Sequence, residues 1–149
     1  MEKKYKVSIV TPFHDVEMSM FRRAVDSMRA QTYGYEDIEW IVVLHNCGER
    51  YKRDVHALLD GDANVKLLEL DNDVHSPSSP RNYGMQFATG DYLGFLDGDD
   101  RFTRSCIATV TEAAERNRAS VTVFRREYEQ EKKGMLVITE LVLWDQTRR

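Results

Sequence analysis

The chain of 149 residues is poor in several things that would have directed its reading elsewhere. It has only two cysteines, Cys47 and Cys106, too few and too distant in sequence for a disulfide framework or a zinc site. A reducing, cytoplasmic setting is therefore the default expectation. No apolar run approaches the roughly 20 residues of a membrane span. The first residues, MEKKYKVSIV, are charged and then β-like, with no signal-peptide core. Attachment to a membrane face would have to come through a partner or a further segment. An excess of positive charge is missing too. The formal net charge is −4, which argues against a nucleic-acid partner. The basic residues fall in scattered pairs such as Arg22-Arg23 and Lys132-Lys133, the pattern of solvated faces. No internal repeat, low-complexity tract or linker is visible. The length is one domain's worth, so residues 1–149 are expected to form a single unit.

What the chain does have is a regular alternation of two kinds of segment. Residues 6–13, 38–45, 64–70 and 91–97 read as strands. Between them, residues 17–31 carry Met18, Phe21, Val25 and Met28 at helical spacing, and residues 49–61 carry Tyr51, Val55, Leu58 and Leu59, with Gly61 as the stop. A polar loop, DNDVHSPSSP, leads to a third helix expected over residues 81–90. A fourth is expected over residues 104–117, with Thr103 or Ser105 as N-cap. Two further strands, residues 120–130 and 135–144, flank the turn-like EKKG and read as a C-terminal hairpin. Alternation of this kind predicts an α/β fold, a mostly parallel central sheet with helices on both faces. Ligands of such sheets bind beyond the carboxyl ends of the strands. That rim would gather Thr11-Pro12-Phe13-His14, His45-Asn46-Cys47 and Asp97-Gly98-Asp99-Asp100.

The acidic group is the sharpest feature. The apolar run YLGFL ends in three carboxylates within four positions, Asp97, Asp99 and Asp100. Carboxylates so close repel unless they are solvated or share a cation. Asp97 and Asp99, two apart on an extended backbone, would point to one side and offer oxygens to a hard divalent ion. A bare Asp-x-Asp is more often an acidic turn, helped here by Asp-Gly. A calcium EF-hand loop is a poor match, because its twelfth position from Asp97 is Ala108 instead of glutamate. His14, His45 and His75 have no metal-ligand spacing.

With the acids placed, VSIVTPFHDVEMSMFRRAVDSMRAQTYGYEDIEWIVV and SPRNYGMQFATGDYLGFLDGDD resemble family 2 glycosyltransferases with a Rossmann-like GT-A fold. The resemblance rests on the Pro-containing end of the first strand, on Ser27, Gln31, Thr32 and Tyr33, on the Arg81-Asn82 pair, and on the Asp-x-Asp-Asp motif. It implies a nucleotide-sugar-binding domain for inverting transfer of a sugar to an acceptor hydroxyl, in polysaccharide or cell-wall biosynthesis. It implies Asp99, with Asp97, as ligands of Mn2+ or Mg2+, and Asp97 also near the ribose. Thr11 and Phe13 match positions lining the base pocket, Phe13 by stacking, and Arg81 matches an arginine near the diphosphate. The implied donor is a UDP-sugar and the implied acceptor a saccharide or lipid-linked saccharide.

Two departures qualify the resemblance. The family's second strand usually ends in an acidic pair, one of which contacts the base, whereas this chain has Leu44, His45, Asn46 and Cys47. His45 or Asn46 would have to hydrogen-bond the base instead, which weakens the expected uridine preference. The chain also stops about fifty residues after the metal motif, before the acceptor-binding half with its catalytic base would be expected. Glu127, Glu140 and Asp145 are the late acids, and none stands out as that base. The competing reading is a catalytically silent domain that keeps the fold for protein association, as in a homo-oligomer. A nucleotidyltransferase, which also uses paired aspartates, fits the Arg-Asn-x-Gly context less well.

Overall fold

The computed structural model describes residues 3–118, 120–127 and 138–147, with the backbone alone for residues 121–127 and 138–144. In chain order the elements are β1 (Val7–Phe13), α1 (Met18–Arg29), β2 (Ile38–His45), α2 (Glu49–Leu59), β3 (Val65–Leu70), α3 (Ser78–Met85), β4 (Tyr92–Phe95), α4 (Cys106–Asn117), β5 (Val121–Glu127) and β6 (Ile138–Asp145). They build one six-stranded sheet in the order β3-β2-β1-β4-β6-β5. β1 to β4 run parallel, while β6 is antiparallel to both β4 and β5. The expected C-terminal hairpin pairing is therefore present, and its second strand inserts between β4 and β5. The EKKG turn lies outside the described residues.

β1 and β2 are apolar on both faces because both faces are covered. Val7, Ile9, Phe13, Trp40, Val42 and Leu44 pack with Phe21, Val25 and Met28 of α1, Val55 and Leu59 of α2, and Ile107, Val110 and Ala114 of α4. Val10, Ile41, Val43 and Leu93 form the smaller core of the opposite face, with Tyr83 of α3 against it. Each large apolar side chain so buried contributes about 1.5–3 kcal/mol. A right-handed crossover explains the division. The chain moves outward from β1 to β3 with α1 and α2 on one face, then returns to β4 with α3 on the other.

Two glycines permit the closest approaches. A Cβ on Gly84 would lie 2.6 Å from Val10 Cγ1 and 3.0 Å from Val43 Cγ2, so α3 rests directly on the sheet. A Cβ on Gly90 would lie 2.6 Å from Ser8 Oγ and 2.7 Å from Ser8 N. Beside this contact the buried Glu39 carboxylate accepts from Ser8 Oγ, from Thr89 N at 2.8 Å and Thr89 Oγ1 at 2.9 Å, and from Lys66 Nζ at 2.6 Å. Burial alone would push this carboxyl up, but Lys66, Ser8 and Thr89 together hold it below the ordinary glutamate value.

Some boundaries differ from the sequence reading. α3 begins at Ser78 instead of residue 81, since Pro80 falls in the first turn, where a missing N–H is harmless. β4 ends at Phe95, and the Asp100 N–H donates to the Asp97 carbonyl at 3.0 Å to close a turn. Ser105 stands at the N-cap of α4 without a side-chain cap bond. Gln31, from the end of α1, supplies that bond from across the fold: its Oε1 accepts from Ile107 N at 3.1 Å.

Candidate functional site

A cleft of about 290 Å³ opens where the carboxyl ends of β1, β2 and β4 meet, the position expected for a ligand of this kind of sheet. Pro12, Phe13 and His14 come from the end of β1, and His45 and Asn46 from β2. Asp97, Gly98 and Asp99 follow β4, His75, Ser76 and Pro77 come from the connection into α3, and Pro80 from its first turn.

Asp97 and Asp99 both line this cleft. Asp99 is exposed and Asp97 half-buried. Asp100 does not line the cleft. Arg81 is not on the cleft wall either; it stands behind Asp97, with Nη2 donating to Asp97 Oδ1 at 2.5 Å. Its guanidinium also lies 6.0 Å from the centre of the Phe95 ring, and its Nε is buried without a partner. A cation in the first turn of α3 faces the unfavourable end of the helix dipole, and the Asp97 carboxylate offsets this.

Two residues expected in a base pocket are used otherwise. Thr11 is fully buried, its Oγ1 accepting from Trp40 Nε1 at 2.8 Å, and it does not line the cleft. The alternation of β1 turns it toward the α1 face. Phe13 does form the cleft floor, but its ring is fully buried, edge-on to Phe21 at 4.9 Å and tilted against Tyr51 at 6.2 Å. With no exposed surface, the ring offers no open face in this structure for the base stacking expected of Phe13. Asp145 pairs with Tyr92, the first residue of β4, which puts it on the sheet edge opposite the cleft. There it accepts from Thr147 N and Oγ1 at 2.9 and 2.6 Å.

His45 lies on the wall, nearly buried, with Nε2 2.8 Å from Asn72 Oδ1 and 3.2 Å from Asn46 Nδ2. Its carbonyl accepts from His14 Nδ1 at 2.9 Å. Asn46 adopts a left-handed backbone, φ 49°, and its Oδ1 accepts from Asn72 N at 2.8 Å. Asn72 Oδ1 accepts from Val74 N at 3.1 Å, and its Nδ2 donates to Ser79 Oγ at 3.0 Å. Asn72 thus ties the β3–α3 loop to the end of β2. The sequence reading missed this residue; the only signal was its place in a polar loop beside the rim. Cys47 donates to Phe13 O at 3.3 Å, and burial pushes its thiol up, away from reactivity.

The acidic turn is anchored from below. Gln31 Nε2 donates to Thr103 O at 2.8 Å and to Ser27 O at 3.0 Å, Thr32 N donates to Arg104 O at 2.8 Å, and Phe102 N donates to Ser27 Oγ at 3.2 Å. The Ser27–Gln31–Thr32 pattern is thereby a clamp on the segment that follows Asp100.

Among the described residues no group of three or more His, Cys, Asp or Glu side chains is gathered to hold a metal. Magnesium-like ions, however, are commonly held by one or two carboxylates together with a substrate's phosphate oxygens, without an all-protein cage. Asp97 and Asp99, which both line the cleft, are side chains of the type such a donor set uses. No helix of the described residues is long and apolar enough to cross a membrane.

The sequence profile of Glycosyl transferase family 2 matches residues 8–144. The uncharacterized glycosyltransferase EpsJ of Bacillus subtilis is 33% identical over 77% of this chain and 32% of its own length. S. aureus TarS 1-349 in complex with UDP-GlcNAc superposes with a TM-score of 0.69 at 21% identity, over 78% of this chain and 33% of that one. Mannosyltransferase PcManGT from Pyrobaculum calidifontis, in complex with GDP-Man and Mn2+, gives 0.68 at 18%, over 80% and 35%. These likenesses show the GT-A fold. The chain spans about a third of the length of the curated relatives it matches.

Proposed function

Because this chain belongs to glycosyl transferase family 2, we propose that it is the donor-binding part of an inverting glycosyltransferase. The donor is a nucleotide diphosphate sugar, and the acceptor is a hydroxyl of a saccharide or lipid-linked saccharide. The observation that carries the reading is the placement of Asp97 and Asp99 in the lining of the cleft at the carboxyl edge of the sheet.

Departure of a nucleoside diphosphate leaves negative charge on its phosphate oxygens. A divalent ion, Mn2+ or Mg2+, held by Asp99 and Asp97 would neutralise that charge as it develops. Arg81 holds one oxygen of Asp97 through a hydrogen bond and so fixes the position of the side chain beside the cleft. The Gln31 clamp fixes the segment after the acidic turn, so the two carboxylates keep their spacing without the ligand. The acceptor hydroxyl must lose its proton to a base. Asp145 stands on the far edge, away from the cleft, and no base is assigned among the described residues.

Titration calorimetry of UDP with and without Mn2+ tests the proposal. Binding should require the ion, and Asp99→Ala should abolish it with an unchanged melting temperature. Equal affinity in the presence and absence of Mn2+ would overturn the metal-dependent reading. No nucleotide binding at all, with concentration-dependent self-association, would favour a silent association domain.

A further inference from the structure

Gly98 is buried, although Asp97 on one side of it is half-buried and Asp99 on the other is exposed. A Cβ built on Gly98 would lie 3.1 Å from Val16 Cγ2, 3.4 Å from Pro12 O and 3.5 Å from Phe13 Cδ2. The last two are ordinary contact distances. The first is tighter than side chains normally accept, so the Val16 methyl closes the space that a side chain in place of Gly98 would need.

Val16 is itself held in place. It packs against the main core and lines the cleft. The turn that carries it is fastened to the end of β2, where His14 Nδ1 donates to His45 O at 2.9 Å and Gly48 N donates to Asp15 Oδ1 at 3.1 Å. Asp15 takes a left-handed backbone, φ 43°, which a non-glycine residue holds only where its surroundings fix it. Asp97 and Asp99 flank Gly98 directly, so the seat of Gly98 against Val16 governs where both carboxylates leave the backbone.

We propose that Val16 is a positioning residue for the ion and diphosphate: its Cγ2 methyl is the stop against which Gly98 rests, and this stop sets the placement of Asp97 and Asp99 along the cleft. The inference rests on the metal-dependent reading above and adds the residue that holds the ligands of the ion in place. The contact acts in both senses. A methyl added at Gly98 forces a shift of a few tenths of an ångström, whereas truncation of Val16 leaves the turn without its stop. Each change alone disturbs the site, and the two together largely offset one another.

The test is a double-variant cycle on the full chain, read by titration calorimetry of UDP with and without Mn2+ well below every melting temperature. Gly98→Ala is expected to weaken Mn2+-dependent binding about tenfold, because such ligands must stay within about 0.5 Å of their productive geometry. Val16→Ala should weaken binding when made alone and strengthen it when added to Gly98→Ala. That reversal of sign is the signature of the stop. Val16→Thr keeps Cγ2 and should bind UDP as the wild type does. In the ion-free wild type, an NMR Overhauser contact should join the Val16 methyls to the Gly98 α-protons. Equal affinities in all the variants would leave Val16 to the fold and overturn the assignment, as would additive losses in the double variant or a missing Overhauser contact. If Gly98→Ala does not fold, Val16→Ala against Val16→Thr decides: weaker binding in the former alone supports the stop, and equal binding overturns it. Mn2+-dependent binding by the wild type, without coupling between the two positions, would remove this inference and leave the proposed function standing. Absence of nucleotide binding by the wild type would overturn both.

Discussion

Arg81 and Asp97, sixteen residues apart in sequence, meet through Nη2 and Oδ1 at 2.5 Å, and only the aspartate faces the cleft. The arginine therefore competes with any cation that approaches Asp97, and also stands ready to answer phosphate charge beside it. These two roles give opposite signs on removal. Arg81→Ala is expected to raise the affinity for Mn2+ alone and to lower the affinity for UDP in saturating Mn2+. Both partners are a third exposed, so the loss of folding stability should stay below about 1 kcal/mol. Calorimetric titrations of the ion and of the nucleotide, with a urea unfolding curve, separate the three quantities. A parallel fall of both affinities would remove the competition argument.

Gln31→Ala should act at a distance. Its amide serves Thr103 O, Ser27 O and Ile107 N, and a methyl leaves those groups without it at a nearly buried position. A loss of about 2–3 kcal/mol is expected from the unsatisfied backbone groups. Because Thr103 lies three residues beyond Asp100, Mn2+-dependent UDP binding should weaken under conditions where the variant remains folded. Chemical unfolding gives the first number and calorimetry the second. Unchanged binding in a destabilised protein would limit Gln31 to the fold.

The parts of this molecule that were legible in the sequence are those written in local periodicity. β2 was readable to the residue because both its faces are covered, leaving the apolar run Trp40 to Leu44 with Ile38 before it, broken only by the buried Glu39. The acidic turn was readable because three carboxylates in four positions demand an explanation. What the sequence concealed depends on which way a side chain turns. Thr11 and Phe13 sit in a rim motif, yet the alternation of β1 and the bulk of Trp40, Phe21 and Tyr51 draw them into the core. Asn72 carried no periodic signal, since its partners come from two other segments. Gln31 was noticed as part of a family pattern, but its reason, the Ile107 N–H of a helix seventy-six residues away, is a tertiary one.

Glu39 predicts a pH dependence. Its carboxyl is held below the ordinary glutamate value of 4.5, so the folded state binds the proton less readily than the unfolded chain. The stability this contributes is present in full above the unfolded value and is lost as pH falls below it, through the lower value of the folded state. Glu39→Gln should remove that part of the acid sensitivity and lower stability at neutral pH by about 1–3 kcal/mol, since an amide cannot answer Lys66, Ser8 and Thr89 together. Urea melts at pH 7 and below pH 4.5 measure the slope. Equal slopes in the two proteins would show that Glu39 is not its source.

The sharpest test of the fold is Gly90. A Cβ there would lie 2.6 Å from Ser8 Oγ, 2.7 Å from Ser8 N and 2.8 Å from Val7 C, and two of these three atoms belong to the β1 backbone. The hydroxyl can rotate away only by giving up its bonds to Glu39 and to Gly90 N. The backbone cannot move without shifting the register of β1 against β4, which begins two residues later. Gly90→Ala is therefore expected to destabilise by about 3 kcal/mol or more, at the upper end for one inserted methyl group. Gly84→Ala meets only the methyl ends of Val10 and Val43, which relax more cheaply, and should cost less. Thermal melts of the two variants side by side decide the point, because the reverse order would mean that α3, not the β1–β4 seam, is the tighter contact.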